Sequence, residues 1–120
     1  MLQLQVIPQN LTVCKVETLD GFAMTGLYFI GCTDGELSLV CETDKAPANI
    51  LAREDGWRAL RVVGTLDFSL TGILSGIATV LADAKIGIFA VSTYDTDYIL
   101  VKQEDLDRAV GALKRAGYGF

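Results

Sequence analysis

The sequence predicts an α+β fold built from two small units in tandem. Three observations support this prediction: runs rich in β-branched and aromatic residues, two amphipathic helical patterns in the second half of the chain, and a weak self-similarity between its halves. The chain has 120 residues, of which 51% are hydrophobic and 21% charged, with two prolines. That length and composition are typical of a compact protein with a hydrophobic core.

The first strand and helix of the second half are the easiest to predict. Residues 57–68 are rich in β-branched and aromatic residues, which favours a strand. Apolar residues then recur at spacings of three and four over residues 70–84, the pattern of an amphipathic helix. Ser69 or Thr71 is expected to cap the start of this helix, and Gly87 follows its end.

Three strands and a second helix are predicted in the remainder. Residues 86–92 and 97–102 read as short strands joined by a polar loop, and 104–117 as a helix with Gly117 as its terminating glycine. Residues 118–120 supply a last, short strand. The resulting order, β-α-β-β-α-β, is the ferredoxin-like split βαβ unit, which has an antiparallel sheet with both helices on one face.

The first half of the chain aligns with the second after a shift of 61 residues. The aligned pairs include Gly26 with Gly87, Asp34 with Asp95 and Glu36 with Asp97. A strand is expected over 11–16, but too few residues follow it for a helix as long as 70–84. The first unit is therefore predicted to be degenerate.

The predicted domains are a degenerate unit over 1–60 and a complete unit over 61–120, with the strand 57–68 shared at the boundary. A sheet that carries helices on one face leaves its other face to be covered by something else. A second unit or a second chain would cover it, so a homodimer is expected.

Composition argues against several function classes. The net charge is −5 and no basic run is present, so nucleic acid is not expected as a partner. There is no histidine, and Cys14, Cys32 and Cys41 lack metal-ligand spacing, so no metal or cofactor is expected and the thiols are predicted to be buried and free. No run approaches the roughly 18 apolar residues of a membrane span, so the chain is expected in the cytoplasm.

Two segments could bind a ligand. In "DFSLTGIL" (67–74) a strand ends in small polar residues where a helix begins, and the unpaired N–H groups there suit a carboxylate. On spacing alone, a helix start capped by Ser69, with Gly72 chosen for packing, is the favoured explanation. In "STYDTD" (92–97), Asp95 and Asp97 could together bind an ammonium or guanidinium group, although Asp and Thr are also common turn residues.

These two segments also carry a family resemblance. The run "VVGTLDFSLTGILSGIATVLADAKIGIFAVSTYDTDYILVKQEDLDRAVGALKRAGY" resembles an ACT domain, and more closely the small bacterial proteins made of two ACT-like units. The close match covers residues 56–120, and the first unit matches the same group more loosely. The chain is similar also to the ACT units of the CASTOR arginine sensors and to aspartokinase regulatory domains. The resemblance implies a non-enzymatic regulatory module that binds an amino acid or related metabolite at an interface between units and reports it to a partner protein.

The resemblance also implies which residues bind. One side of the ligand would be formed by Phe68, Ser69, Leu70, Thr71, Gly72 and Ile73, and the other by Thr93, Tyr94, Asp95, Thr96 and Asp97. The helix start would take the α-carboxylate, and Asp95 or Asp97 a cationic group. Two alternatives stay open: a structural homodimerisation module without a small ligand, and a small enzyme.

Overall fold

The computed structural model describes residues 2–65 and 71–120 and has an α+β architecture with an antiparallel sheet and two helices. The strands are β1 (Leu4–Val6), β2 (Leu11–Val16), β3 (Tyr28–Cys32), β4 (Leu37–Glu42), β5 (Ile50–Val62), β6 (Phe89–Ser92) and β7 (Asp97–Lys102), and the helices are α1 (Ile73–Asp83) and α2 (Leu106–Arg115). Single 3₁₀ turns follow β4 and β7. Among the helices described, none has the length and apolar character needed to cross a membrane.

The chain divides into two compact units. One, here called the sheet unit, is Gln9–Trp57. The other, the helical unit, combines Arg58–Phe120 with the N-terminal residues up to Pro8. Strand β5 runs through the boundary, so its first part belongs to the sheet unit and its last part to the helical unit.

The helical unit has the strand order β6-β7-β5-β1 and contains both helices. Its core is formed by the buried residues Leu4, Leu60, Val62, Ile77, Leu81, Ile86, Ile99, Val101, Ala109 and Leu113. In β5, Leu60 and Val62 are both fully buried in this core. Because side chains alternate along a strand, Arg61 lies on the opposite face of the sheet.

Two strand predictions in this unit need correction. The strand expected over 57–68 begins earlier, at Ile50, and ends at Val62. Residues 66–68 of the predicted range lie outside the described residues. The last strand, expected at 118–120, is reduced to one isolated bridge between Gly119 and Gln3. The position beside β5 is taken instead by β1, whose Leu4 inserts into the core.

The start of α1 also differs from the prediction. The helix was expected over 70–84 with a hydroxyl cap, but the N-cap residue is Gly72, which has φ +79° and makes no side-chain cap. Thr71 precedes the N-cap, and Ser69 lies outside the described residues. Glycine suits this position because a left-handed backbone carries no Cβ penalty there.

The ends of the helices show one prediction confirmed and one wrong. Gly117 ends α2 at φ +101°, and the next N–H, of Tyr118, donates to Leu113 O at 3.0 Å. After α1 the left-handed position is held by Lys85 at φ +61°, not by Gly87. Both ends form the hydrogen-bond pattern of a Schellman motif.

The sheet unit has the strand order β3-β4-β2-β5, with antiparallel pairing throughout. The strand predicted over Leu11–Val16 is confirmed. Residues 9–57 contain no α-helix; turns and irregular chain connect β2 to β3. A small core is formed by Cys14, Val16, Phe22, Leu39 and Cys41.

Candidate functional site

The polar loop of the helical unit is a tight hairpin turn. Ser92 pairs with Asp97. Thr93 and Thr96 come next, and only Tyr94 and Asp95 lie between them. The N–H of Thr93 donates to Thr96 O at 2.8 Å, and the Thr93 hydroxyl donates to the same oxygen at 3.0 Å. The turn interpretation of this segment is therefore correct as far as its backbone is concerned.

The same loop is fixed to the end of β5. Thr96 is only 8% exposed, and its hydroxyl donates to the carbonyl oxygen of Val62 at 2.7 Å. Because this bond is buried, it holds the hairpin against the strand that leads toward α1. The turn is thus also one wall of a concave surface.

A cavity of about 300 Å³ lies between the hairpin and the end of β5. It is lined by Gln5, Arg61, Val62, Val63, Gly64, Thr65, Thr93, Asp95, Thr96 and Tyr98. All of these residues belong to the helical unit. Its volume lies at the lower end of the range for small-molecule sites, and its lining is more polar than is usual for them.

Three of the predicted site residues, Thr93, Asp95 and Thr96, line this cavity. Two others of the loop do not: Tyr94 is 80% exposed at the hairpin tip, and Asp97 is the first residue of β7.

The predicted residues around the helix start are placed less completely. Thr71 and Gly72 precede α1 and Ile73 begins it, and none of them is among the lining residues. Phe68, Ser69 and Leu70 lie outside the described residues.

The sequence did not identify the cation of the cavity, which is Arg61. Its Nη2 donates to Gln5 Oε1 at 2.5 Å and its Nη1 to the Tyr98 hydroxyl at 3.4 Å. Its guanidinium carbon also lies 5.9 Å from the centre of the Tyr98 ring. In the sequence, the charged Arg61 between apolar Leu60 and Val62 was a signal that Arg61 lies on the face of the sheet opposite the core. No such signal marks Gln5, which becomes a neighbour of Arg61 only through the pairing of β1 with β5.

The lining residues that are described thus combine one guanidinium and one carboxylate, those of Arg61 and Asp95. Opposite charges in one concave site match a zwitterion better than a simple anion or cation. Among the described residues no group of three potential metal-ligating side chains is present.

The hairpin of the sheet unit has the same construction, with a different register from the one predicted. There the N–H of Thr33 donates to Glu36 O at 3.0 Å, as Thr93 does to Thr96. Cys32 pairs with Leu37, and the equivalent pair in the helical unit lies 60 residues later.

The predicted shift of 61 residues is therefore wrong for this hairpin. Asp34 and Glu36 occupy the places of Tyr94 and Thr96, not those of Asp95 and Asp97. The acids of the two loops are not equivalent.

The prediction that all three thiols are buried is wrong for one of them. Cys14 and Cys41 are buried, but Cys32 is exposed. Burial is the main cause that raises the pKa of Cys14, and it raises the pKa of Cys41 to about 11. Neither buried thiol lines the cavity.

Comparison with known proteins identifies relatives of the chain. A family model described as an ACT domain matches residues 52–115. The human protein named cytosolic arginine sensor for mTORC1 subunit 1 is 30% identical over 94 residues, which are 72% of this chain and 29% of that protein. Its bovine counterpart is 28% identical over 107 residues, 83% of this chain and 32% of that protein. The chain thus spans about a third of the length of these curated relatives.

Solved structures give the same result at the level of the fold. A protein of Agrobacterium tumefaciens matches with a TM-score of 0.87 and 30% identity, over 98% of this chain and 90% of that chain. The aspartate kinase of Clostridium acetobutylicum, named as an allosteric enzyme, matches with a TM-score of 0.70 and 20% identity, over 94% of this chain and 34% of that chain.

Proposed function

The chain belongs to the ACT domain family, and we propose that it is a regulatory module that binds an amino acid. The single observation that carries this proposal is the cavity between the polar hairpin and the end of β5, which holds both Arg61 and Asp95. An α-amino acid carries a carboxylate and an ammonium group at neutral pH, so both of its charges find a partner in such a site. No catalytic step is needed for this role, and we propose that the module is not an enzyme.

The proposed ligand has a cationic side chain as well. Asp95 faces the cavity from the hairpin tip, and a carboxylate is the natural partner of an ammonium or guanidinium group. The relatives that match over 72–83% of this chain are named as arginine sensors, which supports arginine and lysine as the first probes.

The proposed site extends beyond the lining residues. Its second side would come from the helix start, Phe68 to Ile73, and the loop would contribute Tyr94 and Asp97 at its rim. Support for this extension is the position of Thr65, which lines the cavity and precedes Gly72 by seven residues in the sequence.

We further propose that the two units are tandem ACT units, the first of them degenerate. Strands β5, β6 and β7 of the helical unit are arranged as β2, β3 and β4 of the sheet unit: in each set the second and third strands form a hairpin and the first lies beside the third. The place on the other side of the first strand is taken by β5 in the sheet unit and by the N-terminal β1 in the helical unit. The sheet unit has no helices to complete the pattern. Loss of helices from one unit would leave sheet surface that a second chain could cover, so the proposal includes a homodimer, located in the cytoplasm. Its interface would adjoin the ligand, and ligand binding would favour its assembly.

Thermal unfolding in the presence of each of the twenty amino acids tests the proposal. A ligand at a hundredfold excess over its Kd adds about 2.7 kcal/mol of stability, which for 120 residues is a rise in Tm of roughly 10 °C. Asp95→Asn should weaken a cationic ligand about tenfold, the effect of losing one charge-assisted hydrogen bond.

Asp34→Asn is the matched control, because Asp34 is a hairpin acid that does not line the cavity. Absence of any shift with all twenty amino acids would contradict the proposed function. Sedimentation velocity with and without the best ligand tests the homodimer separately.

A further inference from the structure

We infer that Arg61 binds the carboxylate of the ligand, an assignment that rests on the function proposed above. Arg61 lies in β5 directly opposite Gln5 of β1, and Tyr98 lies in β7 on the other side. All three side chains line the cavity. We call Gln5, Arg61 and Tyr98 the arginine cluster.

The contacts within the arginine cluster orient the guanidinium without neutralising it. Gln5 Oε1 accepts from Nη2, and the Tyr98 hydroxyl accepts from Nη1. Both acceptors are uncharged, so these two contacts leave the positive charge of Arg61 uncompensated. The Tyr98 ring lies within the range of a cation–π contact with the guanidinium carbon, at 5.9 Å, which further restricts its position.

The geometry of an arginine suits a carboxylate in particular. A guanidinium has five N–H donors in one plane, and two acceptors engage only part of that set. The remaining donors can bind the two oxygens of a carboxylate side by side, a stronger and more directional contact than a lysine offers. Because Gln5 and Tyr98 already fix the side chain, less conformational entropy is lost when the ligand binds.

The position of Arg61 follows from the fold. Leu60 and Val62 on either side are fully buried in the core that contains the helices, which directs Arg61 to the other face of the sheet. Asp95 lines the same cavity from the hairpin. A ligand with its carboxylate at Arg61 would therefore direct its cationic part toward Asp95.

This assignment differs from the one drawn from the sequence, in which the helix start takes the carboxylate. Thr71, Gly72 and Ile73 are not among the lining residues, whereas Arg61 is. The N–H groups of a helix start and a guanidinium both favour an anion, so the two assignments predict the same ligand and different sensitivity to mutation.

Isothermal titration with L-arginine and L-argininamide decides between them. The amide keeps both cationic groups and loses only the carboxylate charge. In the unmodified chain the amide should bind at least about tenfold more weakly than the acid, as expected for loss of a charge-assisted contact. In Arg61→Gln the acid should be weakened to a similar degree, and the difference between acid and amide should almost disappear.

The matched control is Arg53→Gln, because Arg53 also lies in β5 but pairs with Asp55 and does not line the cavity. It should leave both affinities unchanged. If the screen selects another amino acid, that acid and its amide replace the arginine pair. Tyr98→Phe, which keeps the ring and removes the hydroxyl, should weaken the acid by a few-fold and the amide less.

The outcomes separate this inference from the proposed function. If the amide binds as tightly as the acid, or if folded Arg61→Gln keeps the affinity for the acid, Arg61 is not the carboxylate receptor and amino-acid binding still stands. If no amino acid binds the unmodified chain, both fail. If Arg61→Gln does not fold, Tyr98→Phe decides the point: an unchanged ratio of acid to amide affinity in that variant would overturn the assignment.

Discussion

Replacing Thr96 by valine should destabilise the protein and loosen the wall of the cavity. Thr96 is 8% exposed, and its hydroxyl donates to Val62 O at 2.7 Å in a buried setting. Valine keeps the shape of the side chain but leaves this carbonyl without that donor. A buried acceptor that loses its partner costs about 1–3 kcal/mol, and the added methyl group offsets part of this.

We therefore expect a net loss of about 1–2 kcal/mol, the lower part of that range. Unfolding entropy scales with chain length, so this corresponds to a fall in Tm of roughly 4–8 °C for 120 residues. Thermal unfolding followed by circular dichroism measures it. The affinity for the amino acid found in the screen should fall as well, because the hairpin that carries Asp95 is held less firmly against β5.

Thr33→Val is the matched control for this substitution. Thr33 begins the equivalent turn in the sheet unit, and its hydroxyl donates to Glu36 O at 3.3 Å in an exposed setting. That carbonyl keeps the backbone N–H of Thr33 as a donor at 3.0 Å, and the N–H groups of Gly35 and Glu36, which donate to the Thr33 hydroxyl, are exposed and can bind water instead. The loss should therefore be smaller than for Thr96→Val. Equal losses for the two valine variants would refute the argument that the buried Thr96 bond fixes the hairpin.

The remaining predictions concern the thiols and the helix ends. Burial raises the pKa of Cys41 from 9.0 to about 11, so the protonated thiol stabilises the folded state fully below pH 9, and this stabilisation is lost as the pH rises toward 11. Urea unfolding between pH 9 and 11 should show a smaller fall in the free energy of unfolding for Cys41→Ala than for the unmodified chain. One thiol, exposed Cys32, should react rapidly with a thiol reagent in the folded protein and three after denaturation. Lys85→Gly should stabilise the protein by about 0.5–1 kcal/mol and Gly117→Ala should destabilise it by about 1 kcal/mol or more, because both positions have a left-handed backbone. Urea unfolding measures both changes, and a loss of stability in Lys85→Gly or a gain in Gly117→Ala would contradict this explanation.

Two sequence predictions about the loop 92–97 had different outcomes. The loop was correctly placed between two strands, and Asp95 lines the cavity, while its role in binding stays a prediction. Its supposed equivalence to the loop containing Asp34 was wrong by one residue. Such a shift is hard to see in sequence because both registers align similar residues, whereas in a sheet one residue reverses the face of every side chain.

The features that could be predicted correctly from the sequence are local. The spacing of apolar residues indicated the two helices, short runs rich in apolar and β-branched residues indicated β2 and β7 at their observed bounds, and a glycine after α2 indicated its left-handed end. Each of these signals arises from residues within a few positions of one another, where backbone geometry leaves few choices.

The strand that lies beside β5, and hence the side chains that meet at the cavity, depend on long-range pairing. Gln5 and Arg61 are 56 residues apart in the chain and become neighbours because β1 takes the edge that the C-terminal residues were expected to fill. Strand period states which face a residue occupies but not which strand is its partner. The cation of the proposed binding site therefore came from a long-range pairing that no local pattern specifies.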